Sequence, residues 1–224
     1  MGIYVIFIVI ALVSYLVQSS LKNKFERYSQ MPIAMTGKEV AEKMLHDNGI
    51  YDVRVISTPG MLTDHFSPTD KTVNLSEGVY SSNSVAAAAV AAHECGHAVQ
   101  HATKYGALQL RSSLVPIVSF ASQWISWVLL AGILLIEVMP QIMLAGIILF
   151  AMTTLFSIVT LPVEINASHR ALVWLDRSGI ATGRNNECAK DALKSAAYTY
   201  VVAALGSLAT LMYYVMIFMG RRRD

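Results

Sequence analysis

Ala91-Ala92-His93-Glu94-Cys95-Gly96-His97-Ala98 is the stretch around which the rest of this chain reads. It contains His-Glu-x-x-His and follows Val85-Ala86-Ala87-Ala88-Ala89-Val90, strong helix-forming material. On a helix, His93 and His97 are four apart, so both imidazoles leave one face and can grip one ion. Zinc suits them, because neutral imidazole is among its usual ligands. Glu94 lies one position round the helix. Its carboxylate can reach water in an open metal position but is poorly placed to bind the metal. That pattern points to a general base in metal-assisted peptide hydrolysis. Cys95 faces away from the histidines and reads as packing. Gly96 keeps the helix slim where another element must come close.

The plainer alternative is a buried helix with two satisfied histidines and an ion-paired glutamate. The helical setting, the polar cluster Ser81-Ser82-Asn83-Ser84 before it, and a distant third ligand candidate favour the metal. His101 sits four residues further on the same face. It reads as a rim or supporting residue, since catalytic zinc draws its third ligand from a distant segment.

Composition sets the medium. The chain has 224 residues, of which 54% are hydrophobic and only 14% charged. Soluble proteins average about 25% charged, so the apolar excess must go into lipid or a very large core. Net charge is +2. No basic run is long enough to suggest nucleic acid, since Arg221-Arg222-Arg223 is too short. Cys95 and Cys188 make no disulfide framework.

Hydropathy divides the chain. Residues 1–21 hold the first expected transmembrane helix, because Ile3 to Leu21 is apolar, uncharged and of spanning length. A cleaved signal peptide fits poorly, for no basic residue precedes the run and no small-x-small site follows it. Residues 22–113 are more polar and form the zinc-peptidase segment. Within them, Thr36 to Leu45 reads as an amphipathic helix with Thr36 as N-cap, Glu39 three on and Gly49 as stop. Val53-Arg54-Val55-Ile56 reads as a short strand, and Leu62 to Phe66 with Thr72 to Ser76 as a hairpin. Residues 114–161 form a transmembrane hairpin of Leu114–Ile136 and Gln141–Leu161 around Glu137-Val138-Met139-Pro140. Residues 162–195 are polar again, residues 196–219 form the fourth span, and residues 220–224 are a basic tail. Gly206 and nearby alanines would let a neighbouring helix approach the fourth span closely.

The expected fold is mainly α and integral to the membrane, with four transmembrane helices and a small β-hairpin or sheet. Four spans put segments 22–113 and 162–195 on one side, where they can share a metal. That side carries most of the Lys and Arg near the spans. The positive-inside rule then makes the active site cytoplasmic, with the arginine tail dissenting.

Glu164 begins where the third span ends, in Leu161-Pro162-Val163-Glu164-Ile165-Asn166-Ala167-Ser168-His169-Arg170. A carboxylate there can complete two histidines as a catalytic zinc set. The competing role is an interfacial glutamate paired with a nearby arginine. Carboxylates beside apolar spans tend to be functional, which favours the ligand.

At this point the chain resembles a family. His93-Glu94-x-x-His97, Leu62-Thr63-Asp64-His65, Leu75-Ser76-Glu77-Gly78-Val79-Tyr80 and Leu161-Pro162-Val163-Glu164-x-Asn166-Ala167-Ser168 together look like the YugP-type neutral zinc metallopeptidases of bacterial membranes. More distantly, Glu164-x-x-Ala167-Ser168 is similar to a Glu-x-x-Ala-Asp segment of HtpX-like and CAAX-prenyl-protease gluzincins. The resemblance implies a gluzincin-like domain in which Zn2+ is bound by His93, His97 and Glu164, with Glu94 as base. It also implies an aspartate supporting the site, where this chain has Ser168. Asn166 or Asp64 could fill that role.

The expected partners are a peptide or membrane-protein substrate and membrane lipid, in a multi-pass protein of the bacterial plasma membrane. His169, Arg170, Tyr198 and Tyr200 are candidates for stabilising the oxyanion. Two rival functions come from other classes: a site-2-like protease working inside the bilayer, and a non-catalytic zinc-binding scaffold. Finally, Thr72 to Ser76 alternates like a strand just before the metal helix. An extended substrate could add to its free edge; the equal alternative is a plain hairpin strand that covers the core.

Overall fold

A computed structural model describes residues 2–220. The elements run α1 (Gly2–Ser29), α2 (Gly37–Asp47), β1 (Arg54–Thr58), β2 (His65–Ser67), β3 (Thr72–Ser76), α3 (Glu77–Tyr80), α4 (Val85–Ala102), α5 (Gly106–Leu134), α6 (Pro140–Arg177) and α7 (Gly183–Gly220). The architecture is mainly α with one small sheet. Four helices are long and apolar enough to cross a membrane: Val5–Ser29, Gly106–Leu134, Pro140–Arg177 and Gly183–Gly220. The arginine tail that bears on orientation lies outside the described residues.

Two compact units share the long helices. One contains Gln109–Leu161 with the start of α1 and the end of α7. Its helices bury Leu129, Met143 and Ile147 between them. Gly132 permits this, because a Cβ there would stand 2.6 Å from the Met143 Cα. Gly206 meets Ile10 of α1, the close approach its small size suggests. Ile8, Leu12, Trp127, Leu130, Leu205 and Met212 are exposed on this unit, an apolar surface that suits lipid.

The second unit contains Leu16–Leu108 and Pro162–Tyr198. Its centre is α4, whose Ala86, Ala88, Ala89, Ala91 and Ala92 are wholly buried. Small side chains let other elements close on α4 from several directions. Ser84 caps it by accepting from the Ala87 N–H. The chain after α1 pins the same end: Met31 O accepts from Val85 N–H and Asn83 O from Ile33 N–H, both at 2.9 Å. In α2 the capping box forms as expected, with Thr36 and Glu39 satisfying each other's backbone. Val40, Ala41, Met44 and Leu45 are its buried face.

The expected hairpin forms, since β2 pairs antiparallel with β3, but the strand order differs from a hairpin with a free edge at β3. The sheet order is β1-β3-β2, with β1 parallel to β3 and β2 antiparallel to it. Thus β3 is central and has no free edge. The idea that substrate adds to Thr72–Ser76 is overturned, and the sheet's edges belong to β1 and β2. All five β3 residues are buried. The alternation misleads because the polar residues are satisfied inside the protein. Asn74 Nδ2 donates to Thr72 Oγ1 at 2.9 Å, and Asp64 accepts from the Ser76 N–H and hydroxyl.

The long helices also run on beyond the apolar segments. Pro162 stands inside α6 and costs it one backbone hydrogen bond, yet the helix continues through Glu164 to Arg177. One continuous helix therefore carries both the third apolar run and the third ligand candidate.

Candidate metal centre

Helix α4 presents His93 and His97 from successive turns, their ring centroids 4.8 Å apart and nearly perpendicular. Helix α6 brings Glu164 opposite them. His93 Nε2 lies 3.2 Å and His97 Nε2 3.5 Å from Glu164 Oε2. One ligand atom from each residue falls within 4.8 Å of the others. Tetrahedral ligands around zinc, at bonds of about 2.1 Å, stand about 3.4 Å apart, so the three side chains fit one ion.

Gly96 makes that approach possible. A Cβ there would stand 2.6 Å from the Ala167 carbonyl oxygen. Only glycine lets α4 and α6 meet at this level. Cys95, on the other side of α4, is fully buried with Sγ 3.5 Å from Ala41 O. It is a packing residue, and burial pushes its thiol well above the ordinary range.

The far ring nitrogens are also held. His93 Nδ1 is 3.0 Å from Ser168 Oγ, and His97 Nδ1 is 3.0 Å from Gln100 Oε1. An amide oxygen only accepts, so His97 carries its proton on Nδ1 and turns Nε2 towards Glu164. In the neutral ring that nitrogen turns a lone pair towards a buried carboxylate, so a cation, a metal ion or a proton, belongs between them. Metal-binding histidines are ordinarily held through the other nitrogen in this way.

Electrostatics agree with a cation site. Burial opposes a charge on His97, but hydrogen bonding to Glu164 and the charges of Glu94 and Glu164 outweigh it and raise its pKa. Glu94 is 8% exposed on the same helix. Burial lifts its carboxyl above the ordinary range; His93 and His97 oppose the shift, while Glu164 and Asp64 add to it.

A family profile described as "Putative neutral zinc metallopeptidase" matches residues 3–219. The chain belongs to this zinc metallopeptidase family. It is 43% identical over 213 residues to the "Putative membrane protease YugP" of Bacillus subtilis (strain 168), covering 94% of each chain. No solved structure matches it.

In this member of the family, the groups that support the histidines differ from the alternatives raised by sequence. Ser168 itself holds His93. Asn166 acts one layer further out, where its Oδ1 accepts from Gln100 Nε2 at 3.0 Å and from Arg170 Nε at 2.8 Å. Asp64 touches neither histidine and secures Ser76 instead. His101 is exposed and packs its ring against Phe66, outside the ligand cluster. Of the oxyanion candidates, His169, Tyr198 and Tyr200 are exposed, and Arg170 is engaged with Asn166. Gln100 escaped sequence reading altogether. The only signal was its place one turn beyond His97, on the same helix face.

Proposed function

We propose that this chain is a membrane-embedded zinc peptidase that cleaves membrane or membrane-proximal proteins. The observation that carries the reading is the convergence of His93 Nε2, His97 Nε2 and Glu164 Oε2 on one ion-sized space, with Glu94 on the adjoining helical position. His93, His97 and Glu164 would hold zinc, leaving one position open. When bound, zinc supplies Lewis acidity, polarising the scissile carbonyl and making water more acidic. Glu94 then takes the proton of the attacking water on a carboxylate oxygen and delivers it to the amide nitrogen as the C–N bond breaks. The products are a carboxylate and an amine.

Two observations favour this over the rivals. Helix α4 is not among the four helices long and apolar enough to span a membrane, which disfavours hydrolysis deep in the bilayer. Glu94 is an acid-base group that a purely structural zinc site would not need. Glu164 follows the third apolar run by only three residues on one helix, which supports substrates tethered at the bilayer surface. We place the protein in the bacterial plasma membrane with the site on the cytoplasmic side, as the Lys and Arg distribution favours.

Elemental analysis of purified protein tests the ligand set. About one zinc per chain is expected, lost in His93→Ala, His97→Ala and Glu164→Ala. Full zinc in folded Glu164→Ala would remove the third ligand from this account.

A further inference from the structure

Gln100 is wholly buried and lies between the two helices that carry the candidate ligands. Its amide nitrogen has two protons and two acceptors: Val163 O at 2.8 Å and Asn166 Oδ1 at 3.0 Å. Val163 is the residue before Glu164. The side-chain amide oxygen of Gln100 faces His97 Nδ1 at 3.0 Å. Buried this completely, the amide has no water to replace any of these partners.

An amide can usually be turned end for end, exchanging donor for acceptor. Here two acceptors make the choice, the Val163 backbone carbonyl and an oxygen of Asn166 that is fixed in turn from outside. The Arg170 guanidinium donates through Nε to Asn166 Oδ1, and a guanidinium cannot accept. Asn166 must therefore present its oxygen at the junction with Gln100. That oxygen, with the Val163 carbonyl, requires the nitrogen of Gln100 to face α6. The Gln100 oxygen is then left for His97, which must donate from Nδ1. Each step removes one choice, and the last leaves the Nε2 lone pair of His97 facing the metal position.

We propose that Arg170, Asn166 and Gln100 are positioning residues, a one-way hydrogen-bond chain that fixes the His97 tautomer and so sets zinc affinity. Arg170 acts three links away through Asn166 and Gln100. The proposal rests on the zinc reading above, and it deepens that reading by giving control of one ligand to residues of α6. The same chain links His97 on α4 to the backbone beside Glu164 on α6. Loss of a link thus loosens both sides of the ligand set.

The test is zinc affinity by chelator competition on purified full-length protein, alongside the melting temperature of the metal-free protein. Removing a support of a metal ligand typically weakens binding about 10–100-fold. Arg170→Met and Asn166→Leu should each fall in that range. Asn166→Asp should stay within about threefold of wild type, since a carboxylate oxygen accepts from both Arg170 and Gln100. Gln100→Leu should weaken zinc at least as much as Arg170→Met, and the double variant should be no weaker than Gln100→Leu alone. A purely structural tie would lower the melting temperature while leaving the affinity of folded protein unchanged. Wild-type affinity in both Arg170→Met and Asn166→Leu would overturn the proposal, as would equal weakening by Asn166→Asp and Asn166→Leu. His97→Ala separates the two levels. If it keeps full zinc, the zinc reading fails; if it loses zinc while the α6 variants do not, only the chain fails.

Discussion

Gly96 and Ala167 touch backbone to backbone, and this contact sets the distance between the two helices that carry His93, His97 and Glu164. A single methyl at residue 96 would stand 2.6 Å from the Ala167 oxygen. Overpacking of this kind costs about 1–3 kcal/mol when the backbone must move. Gly96→Ala should lower the melting temperature and, by moving α4 off α6, weaken zinc binding. Wild-type zinc affinity in this variant would show that the contact does not govern the site.

Ser168 stands where the more distant relatives are expected to carry aspartate, and its hydroxyl holds His93 Nδ1. Ser168→Ala should weaken zinc about tenfold, within the usual range for such a partner. Ser168→Asp should bind zinc at least as tightly as wild type, because a carboxylate accepts the same proton more strongly. Chelator competition on the two variants checks both directions.

How much of this was legible from sequence differs from residue to residue. The metal helix was readable because its cap, its alanines and the four-residue histidine spacing all describe one helix. Glu164 was readable because the span count put it on the same side as His93 and a carboxylate beside an apolar run is unusual. Gln100 was not, since a neutral side chain after Ala98-Val99 carries no charge or pattern, and its partners lie 63 and 66 residues away. The sheet order was hidden for a related reason. Nothing in Val53 to Ile56 names β3 as its partner, and the alternation of β3 left room for a free edge while its polar residues are satisfied internally.

The α2 capping box offers a test of the fold away from the metal. Thr36 backbone and side-chain hydrogen bonds hold the Glu39 carboxyl below its ordinary range. A lowered folded-state pKa stabilises above the unfolded value, and the contribution fades as pH falls through the folded one. Protection of α2 in hydrogen exchange should therefore decline below about pH 4 in wild type. Glu39→Gln should flatten that decline. Thr36→Ala should destabilise the helix by about 1 kcal/mol near neutral pH.

The proposed orientation is open to chemical labelling. With Cys95 and Cys188 replaced, a cysteine at the half-buried Ser82 should resist an impermeant thiol reagent applied to intact cells. A cysteine introduced beside Arg223 should react. Equal labelling of the two positions would reverse the assignment of the site to the cytoplasm.

Peptide hydrolysis as proposed needs zinc and Glu94 together. Glu94→Gln keeps the shape of the side chain and removes its ability to carry the proton. Fragments of membrane proteins should be quantified in membranes carrying the wild-type chain or this variant, with zinc measured on both purified proteins. About one zinc per chain is expected in each, with cleavage reduced at least about 100-fold in Glu94→Gln. Undiminished cleavage by a zinc-loaded Glu94→Gln protein would contradict the proposal.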